Sequence, residues 1–197
     1  MDEVATPAAP DGSTALWRGR RTLVLIAAVA LAPIVGATLA YYFFPRTAQT
    51  NYGKLLAVRP APEVTGTTLD GKPFALSRLH GRWVLMHAGS GNCAAACARE
   101  LYATRQARTI QGREQDRVMR AWLITDVATP DPRILQQHPG VIVARVPPGA
   151  LTALPAGTAG IYLVDPLGNL VLQYPEDPDI KALGNDLGRL LRASSIG

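Results

Sequence analysis

Hydrophobic positions follow two different patterns along this chain. Residues 22–44 form an uninterrupted apolar run without a charged side chain, whereas beyond residue 63 short apolar segments are separated by polar turns. As a helix, the first run would extend about 34 Å, enough to cross a hydrocarbon core of about 30 Å. The pattern therefore predicts one transmembrane helix that precedes a globular domain.

Strands and helices alternate in the predicted globular part. Four apolar runs have the length of buried strands: 83–88, 120–127, 141–144 and 161–164. Helices are predicted over 93–111, briefly around 134–135, and from residue 177 onward, where apolar residues share one face. A hairpin is predicted over 63–74, followed by a helical turn over 75–79, and a second hairpin joins 161–164 to 170–172. This order predicts an α/β domain with a mixed sheet, a parallel βαβ unit and helices on both faces.

The regions outside that domain differ from it in composition. Residues 1–17 are rich in Ala, Pro and small polar residues, which predicts a disordered segment within a tail that extends to residue 21. Residues 45–62 contain spaced prolines and little periodicity, which predicts a stiff tether. The predicted organisation is therefore a tail over 1–21, a transmembrane helix over 22–44, a tether over 45–62 and the domain over 63–197.

Arginines flank the predicted membrane span mainly on its N-terminal side. Arg18, Arg20 and Arg21 precede the span, although basic residues also follow it at 46, 54 and 59. The positive-inside tendency then predicts a cytoplasmic N-terminus and an external domain. A cleavable signal peptide would have a shorter apolar region of about 7 to 15 residues. We predict a single-pass anchor in the bacterial inner membrane, contacting lipid through residues 22–44, with a periplasmic domain.

The net charge of +5 raises the question of a polyanionic partner. An external domain rarely meets nucleic acid, and the arginines between 99 and 120 are interleaved with Glu100, Glu114 and Asp116. The segment also lacks a platform of several aromatic residues on which bases could stack. We therefore exclude nucleic acid as a partner and predict a solvated helix face.

The chain contains two cysteines, Cys93 and Cys97, at the predicted turn from strand 83–88 into the first helix. Cysteines four residues apart at a helix start share a face, so they can form a disulfide or bind one soft metal ion such as Cu(I). The positive end of the helix dipole lowers a cysteine pKa and favours the thiolate. We predict Cys93 as the attacking residue and Cys97 as the resolving residue of a redox pair.

His87 is the histidine closest in sequence to this pair, six residues before Cys93. It could be a third metal ligand, or it could be a hydrogen-bonded core histidine, because strand alternation alone does not fix its direction. His80 and His138 are predicted at the surface. Asp126 and Asp165 follow strands and are predicted to form turns rather than to act as catalysts.

Five sequence motifs carry a family resemblance, together with the cysteine pair at the first core strand-to-helix turn. They are D-G-K-P-F and L-S-R-L-H-G-R-W-V-L within 70–85, C-x-x-x-C at 93–97, T-D-V-A-T-P-D-P at 125–132 and Y-L-V-D-P-L-G at 162–168. Their order resembles the thioredoxin fold and, more closely, the Sco/SenC family of membrane-anchored proteins that assist copper insertion into cytochrome c oxidase. The resemblance covers roughly residues 61–193. It implies Cu(I) as a bound ion and a respiratory oxidase subunit or another assembly factor as the partner.

The chain departs from this family at one ligand. Family members carry a histidine ligand just before the strand that corresponds to 161–164, where this chain has Ala156-Gly157-Thr158-Ala159. The departure shifts the expected role from stable copper binding toward thiol-disulfide oxidoreduction of a partner's cysteines. The alternative is a non-catalytic, membrane-tethered thioredoxin-like interaction module in which the disulfide is structural.

Overall fold

The computed structural model describes residues 12–43 and 51–196, and the chain divides into two compact units after residue 49. In the first unit, helix α1 spans Gly12–Phe43. Its segment Arg20–Ala40 has a mean hydropathy of 2.5 and is long enough to cross a membrane. The predicted tail is thus corrected, because residues 12–21 extend this helix at little cost once it is nucleated. Residues 1–11 and the predicted helix end at 44 lie outside the described residues.

The second unit contains a mixed sheet with eight strands among the described residues. In chain order the strands are β1 (Lys54–Pro60), β2 (Thr65–Thr68), β3 (Pro73–Ala75), β4 (Trp83–Gly89), β5 (Val118–Ile124), β6 (Val141–Arg145), β7 (Ile161–Val164) and β8 (Asn169–Tyr174). Across the sheet their order is β1-β8-β7-β4-β5-β6-β2-β3. The sheet therefore places β4, which leads into the cysteine turn, near its centre.

Strand pairing confirms the predicted connections. β4 runs parallel to β5, and β5 runs parallel to β6, so the predicted βαβ unit is present. β7 is antiparallel to both β4 and β8, and β2 is antiparallel to β3, so both predicted hairpins are present. This pairing brings the C-terminal ends of β4 and β5 side by side at one edge of the sheet.

Three α-helices cover one face of the sheet: α2 (Ala95–Thr109), α3 (Pro132–Gln137) and α4 (Ile180–Ala193). They pack on apolar side chains that include Leu85 and Trp122. The opposite face is covered by one-turn 3₁₀ helices, which contribute Leu76 and Leu151, and by the β2–β3 hairpin. The sheet is flanked by helices as predicted, but its second face is covered by 3₁₀ turns instead of α-helices.

Strand β1 corrects the predicted tether over 45–62. It pairs antiparallel with β8 at the edge of the sheet, and its only buried side chain is that of Leu56. Just before it, the Gly53 amide donates to Asp186 Oδ2 at 2.8 Å, and the Asp179 amide donates to the Tyr52 hydroxyl at 2.9 Å. The sheet domain therefore begins before residue 63. Residues 44–50 of the predicted anchor and tether lie outside the described residues.

Candidate functional site

The two cysteines form a disulfide at the junction of β4 and α2. Their Cα atoms lie 5.1 Å apart, and the side chains are 7% and 8% exposed. Helix α2 begins at Ala95 rather than at residue 93. Cys93 therefore precedes the helix, whereas Cys97 lies in its first turn.

The backbone at Cys93 is strained. Its φ is +35°, and it is the only non-glycine residue with positive φ in the described part of the chain. Such a conformation costs about 1–3 kcal/mol and persists only where neighbouring contacts enforce it. Here the Cys93 amide donates to the Ser90 carbonyl at 3.2 Å, and the Asn92 amide donates to Ser90 Oγ at 3.1 Å.

Asp126, at the end of β5, fastens the cysteine loop to its neighbouring loop. Its Oδ1 accepts hydrogen bonds from the amides of Gly91 at 3.0 Å and Ala128 at 3.1 Å. Hydrogen bonds from the Ser90 side chain and the Gly91 amide hold the pKa of Asp126 below its ordinary value. The loops approach so closely that a Cβ on Gly91 would lie 2.2 Å from the Ala128 carbonyl oxygen. Asp126 therefore forms a turn, as predicted, and it also fixes the path of the cysteine loop.

The start of α2 has no side-chain cap, because its N-cap residue is Ala94. The first amide groups of a helix need an acceptor, and together they form the positive end of the dipole. A thiolate formed at Cys93 or Cys97 would meet this positive field when the disulfide opens. Arg99, two residues after Cys97, pairs with Asp177 at 3.2 Å, which offsets its charge.

His87 and Glu100 form a buried pair between β4 and α2. Nδ1 of His87 lies 2.7 Å from Oε2 of Glu100, and the two side chains are 5% and 4% exposed. The contact has the distance of an ion pair but lacks the alignment of a hydrogen bond. Nε2 of His87 has no hydrogen-bond partner among the described residues and would lie 3.4 Å from a Cβ on Gly89. The free nitrogen thus faces the start of the loop that carries Cys93.

Glu100 is the buried residue next to the cysteine pair in sequence that the sequence interpretation missed. It lies one turn after Cys97 on the buried side of α2, but it was assigned to a solvated helix face. The spacing of three residues from Cys97 was the available signal, since residues three apart share a helix face.

The structure does not assemble a metal site with three ligands. The described residues contain no group of three or more His, Cys, Asp or Glu side chains placed to hold a metal ion. His87 was predicted either as a third ligand or as a core histidine; its Nδ1 lies against Glu100, and the ligand role stays a prediction. His80 is exposed as predicted. His138 is not, being 4% exposed.

The segment that lacks the family's histidine is fixed by a tyrosine. The Tyr162 hydroxyl accepts a hydrogen bond from the Ala156 amide at 3.0 Å and donates one to the Gly157 carbonyl at 3.2 Å. This stretch contains no histidine, and its contacts with Tyr162 are structural. The chemistry that the site can offer therefore comes from two sulfur atoms and the buried pair beneath them.

A family model matches more than half of the chain. A model described as transmembrane-like, thioredoxin-like, C-terminal domain matches residues 83–194. Comparison with curated protein sequences gives no match. The matched range includes the whole cysteine loop and both large helices of the domain.

Solved structures with the same fold include Sco proteins and a thiol-disulfide oxidoreductase. Apo Sco1 from Thermus thermophilus has a TM-score of 0.57 and 23% identity, and the match covers 75% of this chain and 98% of that one. Arabidopsis thaliana ScoI with copper bound has a TM-score of 0.57 and 18% identity, and the match covers 68% of this chain and 99% of that one. The thioredoxin domain of a thiol-disulfide oxidoreductase from Bacteroides vulgatus has a TM-score of 0.54 and 19% identity, and the match covers 69% of this chain and 99% of that one. These matches confirm the predicted thioredoxin-like, Sco-like fold.

Proposed function

The chain belongs to the family of transmembrane-like, thioredoxin-like C-terminal domains, and on that premise we propose that it is a membrane-anchored thiol-disulfide exchange protein. The observation that carries the proposal is the Cys93–Cys97 disulfide, which lies in a strained loop at the uncapped start of a helix. A reactive pair needs a thiolate-stabilising environment, and this position supplies one.

The energetics of the bridge favour a redox role over a purely structural one. A disulfide between residues four apart closes so short a loop that the chain-entropy model assigns it only about 2 kcal/mol. The positive φ of Cys93 costs about 1–3 kcal/mol. Because the two effects nearly cancel, the bridge contributes little to the stability of the fold.

The proposed exchange proceeds in two steps. The Cys93 thiolate attacks one sulfur of a partner disulfide, forming a mixed disulfide and releasing the other partner sulfur as a thiolate. Cys97 then loses its proton and attacks Cys93 Sγ, so that the second partner sulfur also leaves as a thiolate. The partner gains two electrons, the Cys93–Cys97 disulfide forms, and an external dithiol must reduce it for another cycle.

The buried His87–Glu100 pair supports the second step. Glu100 lies one helical turn after Cys97, and the pair is shielded from water. A base within reach of the resolving thiol would accept its proton when Cys97 attacks. We therefore assign the pair the role of proton acceptor for Cys97.

Access to the sulfurs is provided by small side chains. Cys93 and Cys97 are buried, but Ala94, Ala95 and Ala96 between them are exposed. A partner chain can therefore approach the bridge over a surface made of single methyl groups. The exposed position of this surface fits exchange with a protein rather than with a deeply bound small molecule.

The reduced cysteine pair could also bind copper. Two thiolates form a donor set that Cu(I) accepts, and Arabidopsis thaliana ScoI is similar in fold and has copper bound. The described residues of this chain offer no third ligand beside the sulfurs. We propose that the reduced pair passes Cu(I) transiently and mainly reduces the cysteines of a respiratory oxidase subunit or another assembly factor.

The apolar segment of α1 supports a proposal for the location of the protein. Its apolar segment begins at Arg20 and Arg21, which fits a cytoplasmic N-terminal end under the positive-inside rule. We propose that α1 anchors the chain in the lipid of the bacterial inner membrane and that the thioredoxin-like domain works in the periplasm. In that compartment a cysteine pair is oxidised unless a reductant acts on it.

Trapping of the mixed disulfide tests the proposal. Full-length Cys97→Ser, expressed in cells, should accumulate a reductant-sensitive adduct through Cys93 with a membrane-bound partner. Cys93→Ser is the matched control and should form little adduct. Equal trapping by both variants, or trapping by neither, would contradict the exchange mechanism. If the chain is only an interaction module, the partner should co-purify unchanged with the Cys93→Ser/Cys97→Ser double variant.

A further inference from the structure

A second group of buried polar side chains lies outside the thiol-exchange site. It consists of Arg120 on β5, His138 directly after α3, and the half-buried Arg105 on α2. Arg120 is 2% exposed and His138 is 4% exposed. Arginine is almost never buried this deeply unless a counter-charge accompanies it, so the group requires an explanation.

Arg120 lacks a carboxylate partner in the described part of the chain. Its Nη2 donates a hydrogen bond to the Pro139 carbonyl oxygen, whereas Nε and Nη1 have no partner among the described residues. Burial and then the neighbouring cations Arg108 and Arg105 lower the pKa of Arg120 to about 10. The guanidinium group therefore has two nitrogen atoms without an acceptor and positively charged neighbours in a buried place, an arrangement that is unfavourable without an anion.

His138 faces the same cations. Its Nδ1 has no hydrogen-bond partner within the described ranges. Burial, and then the charges of Arg105 and Arg120, lower the pKa of His138. Arg105 donates to the Gln137 carbonyl oxygen and lies over the ring of Tyr102, 5.3 Å from its centroid.

A cleft leads to this group from the surface. Its volume is about 510 Å³, and both Arg105 and His138 line it. The one carboxylate among its lining residues is that of Asp177, which lies 3.2 Å from Arg99. The carboxylate of Asp177 is thus engaged by Arg99, and the positive charges of Arg105 and Arg120 remain to be balanced.

We propose that the end of this cleft at Arg105 and His138 binds one small oxyanion, with Arg120 behind it as the buried counter-charge. Guanidinium groups present paired donors that match the two oxygens of a phosphate, sulfate or carboxylate better than they match a monatomic ion. The burial of Arg120 and His138 admits a small anion and excludes a macromolecular surface. The proposal concerns a separate site, so it does not depend on the proposed thiol exchange.

Thermal unfolding of the full-length protein in a non-ionic detergent tests the site. Phosphate, sulfate, acetate and chloride are compared at matched ionic strength, with unfolding followed by tryptophan fluorescence. At saturation, phosphate or sulfate should raise the Tm by about 3 °C or more above chloride. Acetate distinguishes a carboxylate preference from a tetrahedral oxyanion preference, and either result supports an oxyanion site.

Three variants locate the effect. Arg105→Gln and Arg120→Leu should each abolish the oxyanion-dependent rise in Tm and weaken phosphate binding at least tenfold by calorimetry. Arg113→Gln is the matched control, because Arg113 is an exposed arginine that does not line the cleft, and it should keep the full response. Arg120→Leu should also show no loss of Tm in anion-free buffer, since it removes an unpaired buried charge.

The contrary results are equally definite. An equal rise with chloride would show a general salt effect and overturn the proposal. A full response in Arg105→Gln would overturn the proposal as well. Because Arg105 is only half-buried, this variant still tests the site if Arg120→Leu fails to fold. Loss of the response in Arg113→Gln would show that any loss of positive charge removes the effect, and it would contradict the assigned position within the cleft.

Discussion

Reduction of the Cys93–Cys97 bridge should destabilise the domain only slightly. Closure of a loop this short is worth about 2 kcal/mol in the chain-entropy model. The positive φ of Cys93 costs about 1 kcal/mol or more, and opening the bridge removes one of the constraints on this conformation, beside the hydrogen bonds to Ser90. We therefore expect a net loss of about 1 kcal/mol, which for a domain of this size lowers the Tm by about 2–4 °C.

Urea unfolding with and without dithiothreitol measures this loss. The full-length chain is held in a non-ionic detergent, and unfolding is followed by tryptophan fluorescence, because Trp83 and Trp122 are buried in the domain. The Cys93→Ala/Cys97→Ala variant is the control and should not respond to the reductant. A loss above about 3 kcal/mol, or unfolding on reduction, would show that the bridge is a structural staple and would refute this reasoning.

Three further predictions concern the surroundings of the bridge. Gly91→Ala would place a methyl group 2.2 Å from the Ala128 carbonyl oxygen, so it should lower the free energy of unfolding, measured by urea denaturation, by about 2 kcal/mol. Gly149→Ala is the control: a Cβ there would have no atom within 4 Å, so the free energy should change by less than about 0.5 kcal/mol. Hydrogen bonds lower the pKa of Asp126 below 3.8, so the stability they provide is present above that pH and is lost as the pH falls through the folded-state pKa. The Tm difference between wild type and Asp126→Asn should therefore become smaller as the pH is lowered through this range. A difference that does not change with pH would contradict this. Glu100→Gln should slow dithiol exchange at least about tenfold and change its pH profile, and an unaltered profile would remove Glu100 from the proton-transfer step.

The central strands could be predicted from the sequence because both of their faces are buried. Strand β4 was predicted over 83–88 and ends at Gly89, and β7 was predicted with the bounds it has. Strand β1 was missed because an edge strand needs little burial, and of its residues only Leu56 is buried. Its position depends on pairing with β8, which is far away in sequence.

The buried polar residues could not be predicted for a related reason. A charged residue in a helix is normally solvated, and Glu100 becomes buried only because His87 on β4 meets it across the helix–sheet interface. Likewise, His138 and Arg120 come together through packing between α3 and β5. Local sequence patterns contain no information about such partners. By contrast, the cysteine turn itself was predictable, because glycines, an apolar run and a helical segment define it locally.

The reduction potential of the Cys93–Cys97 couple tests the central claim most directly. The full-length protein in detergent is equilibrated with dithiothreitol or glutathione redox buffers, and the free thiols are counted by alkylation and mass spectrometry. A weakly stabilising bridge at an uncapped helix start predicts a potential above about −300 mV, within the range of exchanging disulfides. A potential well below about −300 mV would identify a structural disulfide and contradict the proposed exchange function.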